Sequence, residues 1–205
     1  MAFAVRHPIV AKIDDRARYL LDLLEEYPEF LENWEKTTES QFAEEARKIA
    51  DGDKEIERSY FNSLISSLDD DEERKNYFYQ AILIMGFSYY ESCVTLLARD
   101  INTQDKIEAI CNSKNIKLSN EAYAAVKHIQ TDINNLRNNI CHNSFGTFRK
   151  PSELKNTARE YKGIVFDGDT LGIYSSDIVT DAIRKMHMVL RELCEKLHYK
   201  SKKIG

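Results

Sequence analysis

The sequence predicts a mainly α-helical bundle with an N-terminal helical extension and one small β-hairpin before its last helix. Three observations carry that class. Apolar residues recur every three or four positions over most of the chain, the repeat of a helix with one buried face. Helix breakers are sparse, with 7 Gly and 3 Pro in 205 residues. A single strand–turn–strand signal stands at Asp167-Gly168, between two β-branched or aromatic runs. The length suits one large domain, or a domain with an extension, and a core of its own.

Residues 9–33 place Ile9, Ile13, Tyr19, Leu20, Leu23, Leu24 and Tyr27 on one side, and that helix is expected to end before Pro28 or shortly after it. Residues 29–51 make a second, through Phe30, Leu31, Trp34, Phe42, Ala46 and Ile49, stopped by Gly52. A shorter one covers 53–67, with Ile56, Tyr60, Leu64 and Ile65. Asp69 to Glu73 are consecutive acids, suited to the positive N-terminal end of the next helix. They lack the alternating ligands and Gly of a calcium loop.

That next helix, over 76–100, is the most hydrophobic. Its run from Ala81 to Phe87 is apolar all round, which predicts a central, buried position. Ser88, Glu91 and Ser92 interrupt it too soon for a membrane span. Residues 102–113 read as a short helix. Ser119 caps a longer one, with Tyr123, Val126, Ile129, Ile133, Leu136 and Ile140 as its apolar stripe and Asn143 and Gly146 at its exit. The chain is then polar to Lys162. Gly163 to Tyr174 forms the hairpin. Ser175-Ser176-Asp177 opens a last helix to about His198, buried through Ile178, Ala182, Met186, Val189, Leu190, Leu193 and Leu197. The basic tail from Lys200 to Lys203 is expected to be loose. The extension takes residues 1–75 and the main helical domain 76–205, packed as one unit.

A net charge of -5 and a pI near 5.6 do not advertise a nucleic-acid binder. An RNA site here has to be a local basic cleft. Cys93, Cys111, Cys141 and Cys194 are widely spaced, with no C-x-x-C, so neither a disulfide framework nor a zinc cluster is read. His7, His128, His187 and His198 have no metal-ligand spacing, and no cofactor or metal is expected. Residues 1–13 carry early charges and no apolar core, so no signal peptide is expected, and the location is read as cytoplasmic with reduced thiols.

Chemistry concentrates in Arg137-Asn138-Asn139-Ile140-Cys141-His142, which closes the Ser119-capped helix. Arg137 sits at the edge of the apolar stripe and His142 well off it. Positions five apart lie about 140° around a helix, so the two side chains do not stack. They converge only if the helix stops at His142 or a second subunit brings its own copy. Cys141 and His142 are adjacent and point apart, so a thiol nucleophile is not read there. Asn134, Asn135, Asn138 and Asn139 are poor helix formers, crowded where Lys, Glu or Ala would serve a plain helix better. Upstream, Glu91 lies between two apolar segments. Either it is partly buried and needs a cation, or it faces solvent. Arg184, Lys185, Arg191 and Lys196 on the last helix offer either phosphate contacts or a solvated face, and the solvated face is the plainer reading.

Arg-Asn-x-x-x-His at a helix end, after a hydrophobic helix with an aromatic-aromatic-Glu segment (Tyr89-Tyr90-Glu91) and before a hairpin and final helix, resembles the HEPN superfamily. The resemblance covers about Asn76 to Tyr199. It implies a HEPN-type bundle, usually a homodimer with two motif helices meeting at the interface. It implies metal-independent endoribonuclease activity, with toxins of toxin–antitoxin systems and phage-defence effectors among the members. Arg137 and His142 would be the catalytic pair, and Glu91 matches an acidic position used by some of these ribonucleases. One subgroup has a Tyr two residues after the His, modified by its antitoxin; here that position is Ser144.

The chemistry suits these residue types. Metal-free RNA cleavage uses the 2′-OH as nucleophile on the adjacent phosphate. It needs a group that titrates near neutrality, as His142 does, and a fixed cation for the developing phosphorane charge, as Arg137 is. Asn138 and Asn139 offer supporting amides or RNA contacts. Two functions are therefore expected as alternatives. One is an endoribonuclease with RNA as substrate, a homodimer partner, and an antitoxin or regulatory protein as a further partner. The other is a catalytically silent helical module that binds a protein or nucleotide. No membrane partner is expected.

Overall fold

The computed structural model describes residues 8–66, 71–98, 106–142, 151–167 and 170–201. Helix α1 (Pro8–Ala50) is one continuous run of 43 residues with Pro28 inside it. The sequence expectation of two helices divided at Pro28 is therefore corrected. A proline inside a helix costs roughly 3 kcal/mol through a lost hydrogen bond and a crowded carbonyl. Packing on both sides of it offsets that here. Tyr27 stacks on Phe78 with ring centroids 3.6 Å apart and meets Tyr79 edge-on at 6.4 Å. Before the proline, Val10, Ile13, Ala17, Leu20 and Leu24 are buried in the common core; after it, Leu31, Ala46 and Ala50 are buried. Ile9, Tyr19, Phe30 and Ile49 lie outside, because the face that meets other helices is narrower than the apolar stripe.

Asp51 and Gly52 turn the chain through the left-handed region, at φ 43° and 91°. Helix α2 (Lys54–Ser66) then folds back on α1 with no fully buried residue. Helix α3 (Asp71–Leu97) follows. Its first residue is an acid of the predicted capping run, while Asp69 and Asp70 lie outside the described residues. It buries Tyr79, Ile82, Leu83, Phe87, Tyr90 and Val94 but exposes Tyr77 and Met85, so it is not buried all round. The central helix is α8 (Asp177–Ser201), which packs against α1, α3 and α5. Gly86 lets α3 approach it: a Cβ there would stand 3.2 Å from the Met186 methyl.

Helix α4 (Lys106–Lys114) is short. Helix α5 (Asn120–His128) starts at its Ser119 cap, whose Oγ accepts from the Ala122 N–H at 3.1 Å. A π-helical turn (Ile129–Ile133) joins it to α6 (Asn134–His142). Ala122, Ala125, Val126, Ile129, Ile133 and Leu136 are buried, whereas Tyr123, expected inside, is 64% exposed. Tyr123 lies well around the helix from Ile129 and Leu136, and the alanines take the close contact with α8 instead.

Helix α7 (Pro151–Glu160) occupies what reads in the sequence as a polar connection. Pro151 at its first position suits a helix start. Leu154 and Thr157 are fully buried, which is too short a repeat to stand out in the sequence. Strands β1 (Ile164–Asp167) and β2 (Thr170–Ile173) pair antiparallel, Ile164 opposite Ile173 and Asp167 opposite Thr170, as the Asp-Gly signal predicts. Gly163 has φ 79°, and its carbonyl accepts from the Tyr174 N–H at 2.7 Å. The molecule is thus mainly helical with one small hairpin before the last helix. Lys200 and Ser201 of the basic tail belong to α8; the rest of the tail lies outside the described residues.

Candidate active site

Helix α6 crosses α3 so that Arg137 lies over two residues one turn apart, Phe87 and Glu91. Arg137 Nη2 donates to Glu91 Oε2 at 3.0 Å. Arg137 Nη1 donates to Asn138 Oδ1 at 2.7 Å. The guanidinium carbon stands 5.3 Å from the centroid of the buried Phe87 ring. A ring below, a carboxylate on one edge and an amide on the other fix the guanidinium plane. Arg137 is 26% exposed and Glu91 49%. A pair this wet adds about 0–1 kcal/mol to stability, so what it supplies is orientation. An arginine has five N–H donors, and those beyond these two bonds have no protein partner among the described residues.

Asn138 extends the arrangement, its Nδ2 donating to Asn134 Oδ1 at 3.2 Å. Asn139 does not share that surface. It is 2% exposed, and its Nδ2 donates to the Asn135 backbone oxygen at 2.8 Å and side-chain oxygen at 3.0 Å. Its side chain is engaged inside the fold. The π-helical turn accounts for this. The Asn134 N–H reaches back five residues to the Ile129 carbonyl, inserting one residue into the helical repeat. The buried face of α6 turns with it and takes in Asn135 and Asn139. The Asn135 amide nitrogen has no partner among the described residues.

His142 is exposed, with no hydrogen-bond or ion-pair partner among the described residues. It is the last residue of α6 and still holds a helical position, so the helix stop by itself does not carry it round to Arg137. In a regular helix it lies about 140° around and about 7.5 Å along from Arg137. One chain therefore joins Arg137 to Glu91 and Asn138 but not to His142. Residues 143–150, with Ser144, Asn143 and Gly146, lie outside the described residues.

In the sequence Phe87 reads only as core and Asn134 only as one of four crowded asparagines, with no place for either beside Arg137. The signal for Phe87 was present, since Phe87 and Glu91 are four apart on one helix and share a face. The sequence reading missed a polar cluster around His128. His128 Nδ1 lies 2.9 Å from Asp132 Oδ2, and its Nε2 lies 3.1 Å from the Tyr161 hydroxyl. Tyr161 donates to Asp181 Oδ2 at 2.6 Å, as does Lys185 Nζ at 2.7 Å. Burial raises the Asp181 carboxyl, but the bonds from Lys185 and Tyr161 outweigh it and hold the group below the ordinary carboxylate value. His187 pairs with Asp14 at 2.6 Å. On α8, Lys185, Arg191 and Lys196 pair with Asp181, Glu195 and Glu192 one turn away. Burial pushes the Cys194 thiol up to about 11, so it is no thiolate at neutral pH.

Comparison with protein families, with curated proteins and with solved structures brings up no match for this chain. Among the described residues no helix is long and apolar enough to cross a membrane.

Proposed function

We propose that the protein is a HEPN-type, metal-independent endoribonuclease whose active site is shared between two copies of the chain. The observation that carries this reading is the Arg137 guanidinium, set against Glu91 and Phe87 with N–H donors to spare, one helical turn and a half from an exposed histidine. In the reaction a ribose 2′-OH attacks the neighbouring phosphorus and the 5′-oxygen leaves. The products are a 2′,3′-cyclic phosphate and a 5′-hydroxyl. His142 moves the proton at the attacking or the leaving oxygen, worth about 10²–10⁴ in rate. Arg137 donates to the phosphorane oxygens, where a fixed donor is worth about 10²–10³. Glu91 orients Arg137.

The angle between Arg137 and His142 is the reason for a second copy. Beside Glu91, α3 presents an exposed edge of Met85, Ser88, Ser92 and Leu96, the last 72% exposed. An apolar-to-small edge of this kind suits a two-fold contact. An antitoxin or other regulator remains a proposed partner of the same surface. The competing reading, a silent binding module, is favoured by the net charge of -5.

Cleavage of cellular RNA in excess EDTA decides between them, run with wild type, Arg137→Ala and His142→Ala. Loss in both folded variants, with cyclic phosphate ends from the wild type, supports the ribonuclease. A folded wild-type dimer that cuts no RNA supports the binding module.

A further inference from the structure

Two hollows open on the α3–α4–α5 side of the molecule, and they adjoin. The nearer, of about 230 Å³, is lined by Glu91, Thr95, Lys106, Gln130 and Asn134 over an apolar floor that includes Phe87 and Ile107. The farther, of about 610 Å³, is lined by Lys117, Asn120, Tyr123 and Lys127, with Ile116 and Val126 beneath. Ile107 and Gln130 belong to both, so the two form one groove between α4 and the α5–π-turn segment. The farther volume lies within the range of a ligand site, roughly 300–1,000 Å³, and the nearer falls just below it. From Asn134 to Tyr123 the groove runs about 16 Å along the helix.

Its near end joins the candidate active site. Asn134 accepts from Asn138, which accepts from Arg137. Its far end carries Tyr123, a large aromatic ring 64% exposed. Charge along it departs from the chain as a whole. Lys106, Lys117 and Lys127 face Glu108 and Glu91, and Glu91 is answered by Arg137. The lining residues carry one net positive charge, three lysines against two glutamates, in a protein with a net charge of -5, and Arg137 stands beside the near end. Lys106 Nζ is held over the near hollow by Thr95 Oγ1 at 2.9 Å. Lysines on the rim, an aromatic face and side-chain amides over an apolar floor are the ingredients of a single-stranded nucleic-acid path. The π-helical turn places Gln130 on the ridge between the hollows, and such turns concentrate at functional sites.

We infer that this groove binds the single-stranded RNA flanking the scissile phosphate, with one base stacked on Tyr123 and the backbone tracked by Lys106, Lys117 and Lys127. The choice of RNA rests on the ribonuclease reading; the groove does not depend on how the strand is cut.

The test uses a fluorescent, mixed-sequence RNA of about 12 nucleotides, every ribose 2′-O-methylated so that no attack occurs. Binding by full-length wild type, Tyr123→Ala, Lys117→Glu/Lys127→Glu and, as a control outside the groove, Lys48→Glu on α1 is read by anisotropy over a salt series. All three positions changed in the groove are exposed, so the fold is retained, and thermal melts check it. Tyr123→Ala is expected to weaken binding roughly 5- to 100-fold. The double charge reversal is expected to lower the slope of log affinity against log salt by about 1.4 or more. Lys48→Glu is expected to bind like wild type. Equal binding by all four proteins overturns the groove, and cleavage of unmodified RNA by the wild type then keeps the ribonuclease reading alive. Absence of binding by the wild type overturns the groove as well, and if cleavage is also absent the ribonuclease reading falls with it.

Discussion

At the scale of single residues, Arg137 acts through a fixed plane as well as its charge. The guanidinium is gripped by Glu91 and Asn138 and lies over Phe87. A lysine keeps the charge but not the fork or the stacking. Arg137→Lys is therefore expected to lose most of the roughly 10²–10³ in cleavage rate that Arg137→Ala loses. Glu91→Gln keeps one acceptor and is expected to cost about tenfold in cleavage rate at saturating protein. Single-turnover cleavage at saturating protein measures both. A Lys variant at wild-type rate would show that charge alone is enough. Sequence spacing made Arg137 and His142 legible as a pair of interest. It did not reveal Asn139 as an interior residue, because the turn that rotates α6 depends on backbone bonds that no residue type announces.

At the scale of elements, two features bear weight outside the site. Gly163 opens β1 at φ 79°, and an added Cβ would lie 2.5 Å from the Ser175 Cβ. Relief requires the backbone to move, since both sides of the contact are close to the main chain. Gly163→Ala is expected to lower stability by about 1–3 kcal/mol, read as a fall in the urea midpoint. No fall would mean that the hairpin relaxes freely.

The second feature is the tie between α5, α7 and α8 through His128, Tyr161 and Asp181. The Asp181 pKa in the fold lies below its unfolded value, so its contribution to stability is present above the ordinary carboxylate value of 3.8. That contribution is lost as the pH falls through the depressed value. Asp181→Asn is expected to flatten the fall in stability below about pH 4, measured by urea unfolding from pH 6 to pH 3. An unchanged slope would assign acid sensitivity to other carboxylates, Glu192 first among them, since Lys196 and Ser119 hold it low against its burial.

At the scale of the whole molecule, the proposed active site is a property of two chains. Mixing Arg137→Ala with His142→Ala, each inactive alone, then yields heterodimers with one intact site. Activity is expected to return to roughly a quarter of wild type after subunit exchange. No return on mixing, with exchange verified, would place both groups in one chain and remove the reason for the dimer. The exposed residues Met85, Ser88, Ser92 and Leu96 and the groove residues Phe87, Tyr90 and Val94 lie on different faces of α3, so the proposed dimer contact and the proposed RNA path use different residues.

The sequence by itself determined the helical class, the Ser119 cap, the hairpin and the buried side of the last helix. Each follows from local rules: a period, a capping oxygen, a turn dipeptide. It also picked out Arg137, His142 and Glu91, because charged and titratable residues next to apolar stripes are conspicuous. The tertiary structure decided the rest. Whether Pro28 breaks α1 depended on Tyr27 meeting Phe78, a residue 51 positions away. Whether α7 forms depended on a core that accepts Leu154. That Glu91 has a cation, and that the cation is Arg137, depended on two helices crossing at one point. Local propensity sets what a segment prefers, whereas burial and pairing between distant segments set which of those preferences is kept.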